Sequence, residues 1–146
     1  MAEPAIKTTT TEARIDSLTL RDTGWSGAAR RDALARLRAM GLPERRDEYW
    51  KFTRPDTLNA PTPDPATPMV GDDTPVFGAV DRLKIVFIDG VFHPRASDDL
   101  ALEGIEISRL ADTAETDIHW AKDLYGTLEA SGQTPVPRPH AALNTA

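Results

Sequence analysis

The chain has 146 residues, 40% of them hydrophobic and 27% charged, with a net charge of −6. These proportions are those of an average globular protein and exclude wholesale disorder, and the length predicts one domain whose core buries roughly 68–70% of the unfolded surface. With no cysteine in the chain, a disulfide framework, a Cys-rich zinc site, a catalytic cysteine and a thiolate-ligated iron-sulfur cluster are all excluded.

The N-terminal residues up to Lys7 lack the charged-then-apolar pattern of a secretory signal, so the chain is expected to be cytoplasmic. A weak helix is predicted from about Thr11 to Leu20, with Ile15 and Leu18 facing inward and a frayed Thr-rich lead-in. The clearest helix runs from Ser26 to Met40. Ser26 is a good N-cap, and the body is rich in Ala, Leu and Arg. Ala33, Leu37 and Met40 form an apolar stripe, with Leu34 beside them. Its stop signal is complete: Gly41 suits the left-handed position, Leu42 can pack back on Leu37, and Pro43 prevents resumption.

Charge is concentrated around this helix. Residues 30–54 hold eight basic and four acidic groups, whereas the 92 residues that follow are strongly acidic. Such a run is usually the solvated face of a helix, and no base-reading motif accompanies it, so nucleic acid is not expected as a partner. An acidic protein surface fits better. Within the run, Tyr49, Trp50 and Phe52 are expected to anchor the segment to the core; left exposed, they would make a partner-binding hot spot.

From Arg54 to Val76 prolines dominate and large apolar residues are scarce, which reads as a linker or surface loop. Arg82 to Ile88 then predicts a strand, Asp89-Gly90 a tight turn, and Val91-Phe92 the return strand. Ile85 to Ile88 is apolar on both faces and calls for cover on both sides, from helices of this chain or from other protein. At four residues it is also the longest such run, far short of the 18 needed to span a membrane. Ile105 to Ile107 predicts a shorter strand. Asp117 can cap a helix in which Trp120, Leu124 and Leu128 share a face, weakened by Gly126 and ended by Gly132. Pro135, Pro137 and Pro139 form a second extended stretch. The chain thus divides into an N-terminal helical segment (1–54), a Pro-rich linker or loop (55–75), and a strand-hairpin and helix region (76–146), an α+β arrangement.

The candidates for chemistry are three histidines. Asp89 with His93, and Asp117 with His119, are carboxylate-imidazole pairs of the kind from which a metal site or general base begins. Each pair supplies two ligands where a metal needs three or four, and His140 has no such neighbour. No phosphate loop, dinucleotide fingerprint or nucleophile elbow is present. No catalytic, cofactor-binding or metal-ligating residue is therefore assigned.

Three segments resemble, in order, the SufD members of the SufB/SufD family of iron-sulfur cluster assembly proteins. Gly41-Leu42-Pro43, the charged turn and Trp50-Lys51-Phe52-Thr53 are similar to the family's N-terminal Gly-Leu-Pro and Trp-Lys-Tyr-Thr stretch, with Phe52 in place of Tyr. Ile85 to Pro94 resembles its hydrophobic strand, turn and return strand. Ala141 to Ala146 is similar to the Ala-Leu-Asn-Thr-Ala that opens its main domain. The resemblance implies the N-terminal domain of a scaffold subunit, from an excised domain or a truncated reading frame. Such a subunit associates with a SufB-like partner and a SufC-like ATPase while the full complex handles an iron-sulfur cluster. It implies that a right-handed parallel β-helix, and the residues of cluster chemistry, lie beyond Ala146. This chain would then bind no cofactor of its own, touch no membrane and catalyse nothing. The alternatives are a stand-alone adaptor using segment 30–54 against an acidic partner, and a small metal-dependent hydrolase centred on Asp117 and His119.

Overall fold

The computed structural model describes residues 5–62, 64, 77–88, 90–101, 107–114, 116, 118–132 and 136–146. It is a mixed α+β chain with six α-helices and one two-stranded antiparallel sheet among those residues. The chain forms two compact units, one made of residues 1–63 and 109–146 and the other of residues 64–108. No helix among the described residues is long and apolar enough to cross a membrane.

The first unit is built on helix α2 (Gly27–Met40), which ends as its stop signal predicts. Gly41 has φ +67°, and its N–H bonds to the Leu37 carbonyl. Leu37 and Leu42 are fully buried together with Ile15 and Ala142, and Leu34, Met40 and Leu143 pack around them. The start of α2 differs from expectation. Ser26 already has helical backbone angles, so its hydroxyl cannot reach forward to the orphan N–H groups as an extended N-cap would. It accepts a hydrogen bond from Arg30 Nε instead.

Helix α1 spans Ala5–Asp16 rather than Thr11 to Leu20. The Thr-rich lead-in is helical because Thr11 is buried. Its hydroxyl donates to the Lys7 carbonyl at 2.7 Å and accepts the Leu42 N–H at 2.8 Å, tying α1 to the end of α2. Ile15 is buried as predicted. After a single turn at Glu48–Trp50 and helix α3 (Asp56–Asn59), the unit resumes with α4 (Leu110–Thr113).

The helix expected after Asp117 is in two pieces, a 3-10 turn at Trp120–Asp123 and α5 (Thr127–Ser131). Gly126 between them sits at φ +75°, a conformation that breaks helical hydrogen bonding and that glycine alone adopts at little cost. Trp120, Leu124 and Leu128 are all exposed. Gly132 closes α5 as anticipated. Pro139 occupies the first turn of α6 (Pro139–Thr145), which packs along α2.

The second unit holds the hairpin, β1 (Phe87–Ile88) and β2 (Val91–Phe92), with Phe87 opposite Phe92 and Ile88 opposite Val91. The strand predicted from Arg82 is only two residues long. Upstream, the backbone is satisfied differently: Val86 N–H donates to Ser97 Oγ and Lys84 N–H to Asp98 Oδ2. Phe87 is 59% and Val91 68% exposed, and Leu83, Ile85 and Ile88 are exposed with them. Asp89, Asp117, Pro135 and Ile105-Glu106 lie outside the described residues, as does most of the Pro-rich stretch beyond residue 62.

Candidate functional site

The Gly41 to Thr53 segment is the most elaborated part of the first unit. Pro43 is buried, and its carbonyl accepts the side-chain amide of Asn59 at 2.8 Å. Asp47 closes the turn that follows, accepting the Glu44 N–H at 3.0 Å and the Lys7 ammonium at 3.1 Å. A short turn then delivers Tyr49, Trp50 and Phe52. The expectation that all three anchor the core does not hold: Tyr49 is 71% and Phe52 92% exposed. Only Trp50 turns inward, its ring meeting the edge of His140 at 5.3 Å between centroids. The charged residues on either side keep the turn solvated, and Leu42 and Pro43 already fill the core beneath it.

Among the described residues, cavities border this turn on several sides. The largest, about 640 Å³, is lined by Leu42, Pro43, Arg45, Arg46, Asn59 and Pro61 among others. A second of about 320 Å³ lies among Tyr49, Trp50, Pro137, Pro139 and His140. The third, about 290 Å³, shares Tyr49, Trp50, Pro137 and Pro139 with the second and Lys7 and Pro43 with the first.

The basic run resolves into two groups. Four arginines of α2 are used within the unit: Arg36 pairs with Glu129, Arg38 with Glu12, Arg31 donates to the Asp22 carbonyl, and Arg30 reaches the Ala146 carbonyl and lies over the Tyr125 ring. Lys51 pairs with Glu48. Arg45, Arg46 and Arg54 are exposed and make no hydrogen bond or ion pair among the described residues. Half of the apparent basic patch, the four arginines of α2, is therefore spent on contacts within the unit.

The three histidines have different settings. His93 belongs to the second unit, where its backbone N–H donates to Val86. The His119 ring stacks on Trp25 at 5.1 Å, and its Nδ1 accepts the Ala121 N–H. His140 Nε2 lies 3.1 Å from Asn59 Oδ1. Burial, and then the Arg14 guanidinium, hold its pKa below the ordinary histidine value. Among the described residues no three His, Asp or Glu side chains converge as metal ligands. Asn59 and Arg14 carry no sequence signal. Their roles come from contacts with residues far along the chain, which local patterning cannot register.

No family model, no curated protein and no solved structure matches the chain.

Proposed function

We propose that this chain is the N-terminal part of a SufD-like subunit of a cytoplasmic iron-sulfur cluster assembly scaffold, with a positioning role and no chemistry of its own. The observation that carries the reading is the hairpin that resembles the family's strand-turn-strand: its apolar residues Leu83, Ile85, Phe87, Ile88 and Val91 are exposed. An apolar surface of that kind marks a protein contact. In the family it resembles, a right-handed parallel β-helix follows, and such a body would supply the cover.

Co-expression of the full reading frame with SufB-like and SufC-like subunits tests this. The expected result is co-purification of all three at fixed stoichiometry, with no iron bound by the 146-residue chain alone. A reading frame without a strand-rich continuation, or failure of the three to associate, would refute it.

A second reading, a protein-binding adaptor, is favoured by one observation: Tyr49 and Phe52 stand exposed beside the unpaired Arg45 and Arg46. Aromatic and arginine side chains in that setting dominate many interfaces. On this reading the contact surface is the 45–54 turn rather than the whole of residues 30–54. Pull-downs with an R45E/R46E variant check it: partner binding is lost, and unchanged binding removes the adaptor.

A further inference from the structure

Among the described residues, α1, the 44–47 turn and α3 enclose the cavity of about 640 Å³, a volume within the roughly 300–1,000 Å³ of ordinary ligand sites. Its walls are fixed from behind. Thr11 of α1 accepts the Leu42 N–H at 2.8 Å, Asn59 of α3 donates to the Pro43 carbonyl at 2.8 Å, and Arg14 donates to the Pro61 carbonyl at 3.0 Å. The first two bonds are buried, so closing the space by breaking them would strand polar groups away from water. The cavity is therefore preformed, and a ligand that enters it has no walls to order.

The lining combines two chemistries. Ala60 and Pro61 are apolar and lie beside the buried Leu42 and Pro43. The charged groups are Lys7, Arg45 and Arg46 against Glu44 and Asp56. Lys7 is held by Asp47 at 3.1 Å. Asp56 lies in the first turn of α3, where a carboxylate serves the free N–H groups of its own helix. Two exposed guanidinium groups without a partner among the described residues are then opposed in the lining by Glu44. Further along the turn Glu48 is engaged by Lys51, and Arg54 adds another exposed cation.

We propose, resting on the adaptor reading, that this cavity receives a short acidic peptide of a partner protein: one apolar side chain enters the cavity, and Arg45 and Arg46 take the carboxylates on either side of it. Guanidinium groups bind carboxylates through paired hydrogen bonds, which accounts for the arginines. Phosphates would satisfy the arginines too, but a nucleic-acid backbone makes no use of a fixed apolar space beside them.

Fluorescence anisotropy of the whole chain with labelled probes tests this. The probe is Asp-Asp-Leu-Asp-Asp, set against Asp-Asp-Ser-Asp-Asp, Ser-Ser-Leu-Ser-Ser and a single-stranded oligothymidylate. The acidic leucine peptide binds saturably and the acidic serine peptide at least about tenfold more weakly, as the burial of one leucine requires. The neutral peptide and the oligonucleotide are weaker as well. Arg45→Gln and Arg46→Gln, both at exposed positions, each weaken binding, whereas Glu44→Gln strengthens it, a gain that damage to the fold does not produce. The proposal is overturned if the acidic leucine peptide does not bind, if the serine or the neutral peptide binds as well, if the oligonucleotide binds more tightly, or if Glu44→Gln brings no gain. Where the peptides fail in this way but R45E/R46E still loses its partner in the pull-down, the adaptor stands and this ligand is wrong; where that variant keeps its partner, both fall.

Discussion

Gly27 has almost no room for a side chain. A Cβ there would lie 2.1 Å from the Asp22 carbonyl oxygen, which also holds the Arg31 guanidinium at 2.7 Å. Alanine is the better helix former by about 1 kcal/mol, but overpacking against a fixed backbone costs about 1–3 kcal/mol, so the clash wins. Gly27→Ala should therefore lower the melting temperature, and an unchanged or raised value would show that the carbonyl can yield. His140 makes a second prediction at this scale. Its folded pKa is held below the ordinary value near 6.5, so the unfolded chain takes up the proton more readily. Stability is full above about pH 6.5, falls as pH drops through the window below it, and levels once the folded form is protonated. Urea unfolding of the native chain and His140→Gln at pH 7.5 and 5.0 checks the sign: acidification should cost the native chain more, and a constant difference would contradict it. Neither residue announces itself in the sequence. Gly27 reads as an ordinary helix start, and His140 as a lone histidine after a proline.

Among the elements, arginine straps take the place of a larger apolar core. Arg36 binds Glu129, whose side chain is nearly buried, whereas the Arg38–Glu12 pair is exposed on both sides. Removing a partner from a buried carboxylate costs about 1.5–3 kcal/mol, and exposed pairs contribute about 0–1 kcal/mol. Chemical denaturation of Arg36→Ala and Arg38→Ala should separate them in that order, and equal losses would show that α5 is not held by the strap. Helix α2 was legible because propensity, stripe and stop signal all agree at Ala33, Leu37 and Gly41. The hairpin turn at Gly90 was legible for the same reason. Strand length was not: Ile85 and Val86 have strand composition, but composition does not state whether a partner strand is present. The helix after residue 117 was misread because one left-handed residue, Gly126, outweighs a favourable stripe.

At the scale of the whole chain, the first unit is discontinuous. Replacing residues 64–108 by a Gly/Ser linker of ~15 residues, with a root-mean-square span of roughly 20 Å, should leave α1, α2 and α6 folded with Trp25 still buried. Circular dichroism and tryptophan emission would register this, and loss of helicity would mean that the second unit supports the first. The separation could not be read from composition, since the sequence suggested three consecutive stretches, whereas residues 109–146 of the third belong with the first and residues 76–108 with the second unit. The proposed function comes from the resemblance alone, because the exposed hairpin and the aromatic turn carry no catalytic pattern. The pairing of α2 with α6 also sets a timetable. Leu37 shares its buried cluster with Ala142, and Arg30 is bonded to a carbonyl 116 positions later. At a synthesis rate of roughly 5–20 residues per second, the N-terminal helices wait about 5–20 s on the ribosome without the cover that Ala142 and Leu143 give. Whatever shelters Leu37 during that interval is as much a requirement of this fold as any contact in its finished form.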